Sequence, residues 1–231
     1  MLNRLFCFWT GDNEMPDARR RALRTMSSSK LDVCLITKNN LAQWEVKGNP
    51  IHPAYAYLSA VHRADYLRVY FMHHYGGGYS DIKNINDSWV PAVDDLINSN
   101  AFGVGYKEVG PRGVAMLRSW KYILLVLNWK YLLGNGAYIF KPGTEFTKKW
   151  LERTEICLSR KLNELKSNPA RHPEDYKGRK LSKEGGHLID YSKYPLRWSE
   201  MLGDIFHPLC YEYRGELLNS LPAPDLNSDY D

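Results

Sequence analysis

Cysteine is sparse in this chain, and long apolar runs are missing altogether. The four cysteines, Cys7, Cys34, Cys157 and Cys210, are scattered without any Cys-x-x-Cys pair. That spacing argues against a zinc site and against a dense disulfide framework, and it fits the reducing cytoplasm. The longest apolar region, Tyr122 to Leu127, falls far short of the ~20 residues that cross a bilayer. The apolar stretch from Leu5 to Trp9 is likewise too short for a signal peptide. Three catalytic signatures are also lacking. There is no Gly-x-Ser-x-Gly elbow for a nucleophilic hydrolase, and Gly76 to Lys83 does not spell a phosphate-binding loop. Only Gly11 follows the first predicted strand, where a dinucleotide enzyme carries Gly-x-Gly-x-x-Gly.

The residues present are those of a globular chain, with 44% hydrophobic and 25% charged residues arguing against disorder and against a membrane bundle. A length of 231 residues fits one α/β domain over residues 1–220, with 221–231 read as a polar tail or the start of a linker into a longer protein. Basic residues exceed acidic ones, 31 to 26, which is compatible with an anionic ligand and too weak for a dedicated nucleic-acid binder. From Ser159 to His187 there are eight Lys or Arg against four acids. This stretch reads as a solvated loop and helix end before it reads as a patch for an acidic acceptor or a membrane surface. The aromatic content, 13% with 16 Tyr and 7 Trp, suits sites that stack bases or sugars, although such rings also fill ordinary cores.

Along the chain, Leu5 to Trp9 reads as a buried first strand feeding the loop Thr10-Gly11-Asp12. Pro16 and Asp17 open a basic helix to about Met26, and Leu31 to Thr37 is a second strand expected to be buried on both faces. A long helix is predicted from Pro53, with Leu58, Val61, Leu67 and Phe71 on its apolar stripe and Gly76 as its stop. Tyr79 to Lys83, Ala101 to Tyr106 and Ala137 to Phe140 are further strand candidates. Thr144 caps a helix to about Lys166, with a stripe of Phe146, Trp150, Leu151, Ile156, Leu158, Leu162 and Leu165. Pro169 to Gly186 reads as an irregular loop.

The chemistry concentrates between these elements. Asp65 and Arg68 are three residues apart and share a helix face; the plainest reading is a surface ion pair. Three glycines, Gly76 to Gly78, follow and permit close backbone approach to a ligand. The next strand carries Asp81 toward the sheet edge, where ligands bind in open α/β sheets. A carboxylate there can hold a divalent cation or sugar hydroxyls, and strand alternation points Lys83 to the same side.

His62-Arg63-Ala64-Asp65-Tyr66-Leu67-Arg68 followed by Tyr75-Gly76-Gly77-Gly78-Tyr79-Ser80-Asp81-Ile82-Lys83 resembles the signature of glycosyltransferases with a DXD-containing sugar-binding region, of the family 32-like and capsular polysaccharide type. Phe8-Trp9-Thr10-Gly11 resembles that family's first strand and nucleotide-facing loop, and Gly134-Asn135-Gly136 to Pro142 a later strand that closes over the transferred sugar. The resemblance runs from about Leu5 to Trp150. It implies a GT-A fold, a Rossmann-like α/β/α sandwich with a mostly parallel sheet. It also implies transfer of a sugar from a nucleoside diphosphate, a UDP-sugar before a GDP-sugar, to a glycan or glycolipid acceptor, with retention of configuration. Phe8, Trp9, Thr10, Gly11, Gly77, Gly78, Tyr79 and Asn135 would then line the donor site. Asp65 would contact ribose or sugar, Arg68 would brace the pyrophosphate or Asp81, and Asp81 would be the first aspartate of the motif.

The last motif position departs from the family, because Lys83 stands where the metal-binding aspartate is expected. Three outcomes stay open. Lys83 can neutralise the leaving diphosphate beside Asp81 without metal, or Mn2+ or Mg2+ can be held by Asp81, pyrophosphate oxygens and His207. A third outcome is a dead site with Lys83 paired to Asp81, and the reading from another class is a non-catalytic nucleotide- or glycan-binding module. His187, Asp190 and Trp198 are candidates for an acceptor-facing lid, with Asp190 the base if configuration inverts. The expected setting is cytoplasmic with a peripheral membrane contact allowed, and no nucleic-acid partner.

Overall fold

The computed structural model describes residues 2–182 and 189–226. In chain order its elements are β1 (Arg4–Trp9), α1 (Asp17–Thr25), β2 (Asp32–Thr37), α2 (Ala60–His74), β3 (Gly77–Ser80), α3 (Val90–Ile97) and β4 (Gly103–Lys107). They continue with α4 (Lys121–Leu127), β5 (Leu133–Phe140), α5 (Glu145–Ser167), β6 (Lys180–Ser182), β7 (Ile189–Tyr191), α6 (Gly203–Glu212) and β8 (Leu217–Leu218). Six strands form one mixed sheet in the order β2-β1-β3-β5-β4-β8, and β6 with β7 makes a separate antiparallel hairpin. Within the large sheet β5 runs against its two neighbours, β3 and β4, and the other pairings are parallel.

Side-chain alternation along the central strands divides the interior into two cores. Phe6, Phe8, Tyr138 and Phe140 face one core with α2, α5 and α6. Leu5, Cys7, Ala137 and Ile139 face the other with α1 and α3. The result is three layers, helix, sheet and helix, consistent with a Rossmann-like fold. Aromatic residues fill much of the first core: Trp150 and Phe206 lie 4.7 Å apart, and Phe140 stacks on Phe146 at 4.8 Å. Each such fully buried ring contributes roughly 1.5–3 kcal/mol through area alone.

Several sequence expectations need correction. The helix predicted from Pro53 is two pieces, a tight helical turn at Pro53–Tyr57 and then α2, because Leu58 is extended and Ser59 caps a new helix through the His62 amide. β2 is an edge strand and mostly half-exposed, since only β1 pairs with it. Ile156 lies off the buried stripe of α5 and is half-exposed. The stretch expected as irregular loop contains β6, and α3, α4 and α6 had no counterpart in the sequence reading. Residues 221–226 run along the body: Leu221 is buried and donates its amide to Gly105, and the Asp225 amide donates to Asn84.

Candidate functional site

The ends of β1 and β3 and the beginning of the opposed β5 meet at one edge of the sheet, where a cleft of about 900 Å³ opens. Its lining includes Phe8, Trp9, Thr10 and Gly11 from β1 and its loop, Asp65 and Arg68 from α2, and Tyr79 and Asp81 at the end of β3. Asn135 from β5 and Trp198 complete this part of the wall. Two glycines shape the approach. Gly76 stops α2 with a φ of 64°, and Gly77 takes a φ of 86° where a side chain would meet the Arg4 carbonyl oxygen at 2.9 Å. Gly77 and Gly78 are buried inside the sheet between β1 and β5 and are not among the cleft-lining residues, so their place in the donor site is withdrawn.

Arg68 is the hub of the cleft floor. Its guanidinium lies 3.1 Å from Asp65 and 3.5 Å from Asp81, and donates to the Asn135 carbonyl at 2.8 Å. It also sits over the ring of Tyr79, 4.4 Å from the centroid. Tyr79 stacks on Phe8 at 5.5 Å and donates its hydroxyl to Asp81 at 2.5 Å. One buried cation therefore offsets two carboxylates on different elements and joins α2, β3 and β5. A sequence-level surface ion pair becomes a buried one, with side-chain exposures of 7% for Arg68 and 4% for Asp65. Burial pushes the Asp65 carboxyl up to about 7, against the pull of Arg68 and with the like charge of Asp81 adding to it. Asp81 is the more open carboxylate, with its side chain 25% exposed.

Lys83 is not where strand alternation would put it. β3 ends at Ser80, and the Lys83 amide folds back to the Asp81 carbonyl at 2.7 Å, so the two side chains no longer share a strand face. Lys83 is buried, its Nζ donates to the Leu226 carbonyl at 3.4 Å, and it is not among the cleft-lining residues. The expectation that strand alternation sets Lys83 on the same side as Asp81 is corrected by this turn. His207, on α6, is fully buried behind Asn135. Its Nδ1 accepts the Ala115 amide at 3.0 Å, which leaves the hydrogen on Nε2, 3.0 Å from the Asn135 amide and 3.4 Å from Glu108. The buried Asn135 Oδ1 has no other partner, so turning that amide makes it the acceptor for Nε2–H. With both ring nitrogens engaged, His207 positions Asn135 and does not fit the role of metal ligand.

No group of three or more His, Cys, Asp or Glu with metal-binding geometry exists among the described residues. The donor set thus does not make a closed protein-held cation site; Asp81 would be one ligand to a cation arriving with a diphosphate. Trp198 is half-exposed at the cleft rim and packs edge-on against Tyr176 at 5.6 Å. Asp190 is on β7, paired in register with Leu181, and His187 lies outside the described residues.

Three groups escaped the sequence reading. Arg19 of α1 is buried against the cleft and donates to the Ile82 carbonyl at 2.6 Å. Arg112 is exposed at the cleft mouth. His62 holds the rim: its Nε2 bonds the Arg197 carbonyl at 3.1 Å, and its Nδ1 meets Ser59 and Tyr194 hydroxyls at 3.1 and 3.0 Å. Burial pushes the His62 imidazole down to about 4. Tyr194 and Arg197, between β7 and α6, are far from α2 in sequence, which hides the connection; for Arg19 the signal present was an arginine on the otherwise amphipathic α1. No protein-family model matches the chain, and no curated protein matches it.

Proposed function

We propose that the protein is a glycosyltransferase of the GT-A type that binds a nucleoside-diphosphate sugar in this cleft. One observation carries the reading. Asp81 follows directly on the last residue of β3, is held by Arg68 and Tyr79, and lines a cleft together with Phe8, Trp9 and Trp198. In this reading the base rests against Phe8 and Trp9, and Asp65 with Arg68 fixes the orientation of Asp81. Asp81 meets the sugar hydroxyls or a cation carried by the diphosphate. The C1–O bond to the diphosphate breaks with its electron pair going to the diphosphate, while an acceptor oxygen bonds C1 and passes its proton to the departing diphosphate. With Lys83 turned away, charge on the departing diphosphate is met by Arg19 and Arg112, by a Mn2+ or Mg2+ ion on Asp81, or by both. Retention of configuration rests on the motif resemblance alone.

The placement of Lys83 supports a second reading, a nucleotide- or glycan-binding module without transfer. Calorimetric titration with UDP, GDP, CDP and dTDP, each with and without Mn2+, tests the first step. Micromolar binding of one nucleotide is expected; binding of none removes the donor-site reading. Turnover of the matching sugar nucleotide then separates enzyme from module. The variant Asp81→Ala is expected to lose transfer by about a hundredfold or more while keeping its fold; full activity in that variant would sink the assignment.

A further inference from the structure

The segment 107–131 bridges β4 and β5, and its outer face is apolar to a degree unmatched by the rest of the described surface. Val109, Met116, Trp120, Ile123, Leu127 and Tyr131 are 58–76% exposed. Trp120, Ile123 and Leu127 are spaced by three and four residues and so lie along one side of α4, opposite the buried Leu125 that faces the first core. The charges in this segment have one sign at its surface. Lys107, Arg112, Arg118, Lys121 and Lys130 are exposed, and the sole acid, Glu108, is buried against His207 and the Val109 amide. Arg112 and Met116 also line the cleft mouth, so the apolar face runs on into the site.

An apolar stripe with a tryptophan, framed by cations and lacking exposed carboxylates, matches the interfacial zone of an anionic bilayer, where apolar groups enter the headgroup boundary and Lys and Arg meet lipid phosphates. No helix of the described residues is long and apolar enough to cross a membrane, so contact through this segment would lie in the membrane plane. We propose that residues 107–131 form a docking face for an anionic lipid surface, which sets the mouth of the cleft against the bilayer. That the acceptor is carried on a lipid rests on the glycosyltransferase reading above; the docking itself does not.

The test is co-sedimentation of the full chain with vesicles of phosphatidylcholine alone and with about 30% phosphatidylglycerol added. Binding is expected only with the anionic lipid, with a blue shift of tryptophan fluorescence. Raising salt from about 50 to about 500 mM should weaken it several-fold. The double variant Trp120→Ser, Ile123→Ser should bind about tenfold less or weaker still, and Lys121→Glu with Arg118→Glu comparably. All four positions are exposed, so unchanged thermal melting and unchanged nucleotide affinity confirm that the fold is intact. Absence of vesicle binding, equal binding to neutral vesicles, or undiminished binding by the double variant overturns the proposal. So does sedimentation of the wild-type chain as a dimer that the double variant turns into a monomer, which would assign the face to a second copy. Vesicle binding is read without nucleotide, so its failure leaves the donor-site reading standing, and failure of nucleotide binding leaves the docking face standing.

Discussion

Helices α2 and α4 invert the usual relation between composition and burial. The sequence of α2, with two arginines, one aspartate and three histidines, is the more polar, yet Asp65, Arg68 and His62 on it are all buried. The sequence of α4, Lys-Tyr-Ile-Leu-Leu-Val-Leu, is almost wholly apolar, yet Leu125 is its one fully buried residue. The polar groups of α2 are buried with partners: Arg68 meets Asp81 and the Asn135 carbonyl of β5, His62 the loop that carries Trp198, and Asp65 pairs with Arg68 on the helix itself. Those of α4 have no such constraint, and its apolar side faces outward. Burial of charged groups on α2 thus follows the partners they find, and not the composition of the helix alone.

The largest effect should come from breaking the partnered side of this contrast. Arg68→Leu leaves Asp65 and Asp81 without their shared cation and should cost about 3–5 kcal/mol, read as a lower urea midpoint. An unchanged midpoint would mean that the cluster is not held as described. Next comes the pH response. Asp65 is raised from its ordinary value of 3.8 to about 7, so its contribution to stability is full below the ordinary value and is lost as pH rises toward 7. His62 is lowered from 6.5 to about 4, so its contribution is present above 6.5 and is lost as pH falls toward 4. The two oppose each other between these limits. Asp65→Asn should therefore make stability drop more steeply on acidification from pH 6.5, and His62→Gln should make it drop less; denaturant midpoints across that range check both signs.

A smaller effect is expected at Lys83. Lys83→Met removes a buried cation together with its hydrogen bond to the Leu226 carbonyl and should lower the denaturant midpoint less than Arg68→Leu does. Nucleotide affinity should stay within about twofold of wild type, in contrast to Asp81→Ala. A large loss of affinity would return Lys83 to the site. The smallest effect sharpens the exposed side of the comparison: Ile123→Ser should shift stability by less than about 0.5 kcal/mol, measured by thermal melting.

The elements nearest the cleft were largely legible in the sequence. Strand β1, the stop of α2 at Gly76 and the Thr144 cap of α5 follow from local rules, and the structure realises each of them. Asp65, Arg68 and Asp81 could be singled out by spacing and do converge. What stayed hidden depends on distant partners. Lys83 was misplaced because strand alternation was extended past Ser80, where the chain turns. His207 stands as a candidate cation ligand in the sequence because Ala115 and Asn135, 92 and 72 residues away, cannot be inferred as its partners there. Gly77 and Gly78 signal close approach, and the approaching groups come from β1: the Arg4 carbonyl at Gly77 and the Leu5 side chain at Gly78.

The same distances bear on how the molecule comes together. Asp81 donates its amide to Gly136, and Arg68 donates to Asn135, so the cleft floor is sealed by a strand more than fifty residues downstream. Beyond it, β4 pairs with β8 across more than a hundred residues. Such pairings carry a high loop-closure cost and form late. The first third of the chain, β1 through β3, can assemble its parallel sheet before any of this, with two carboxylates and an arginine awaiting their lid. Refolding followed at the Asp81 amide by hydrogen exchange should then lag behind the amides of β1, and ligand affinity should appear only with the slower phase.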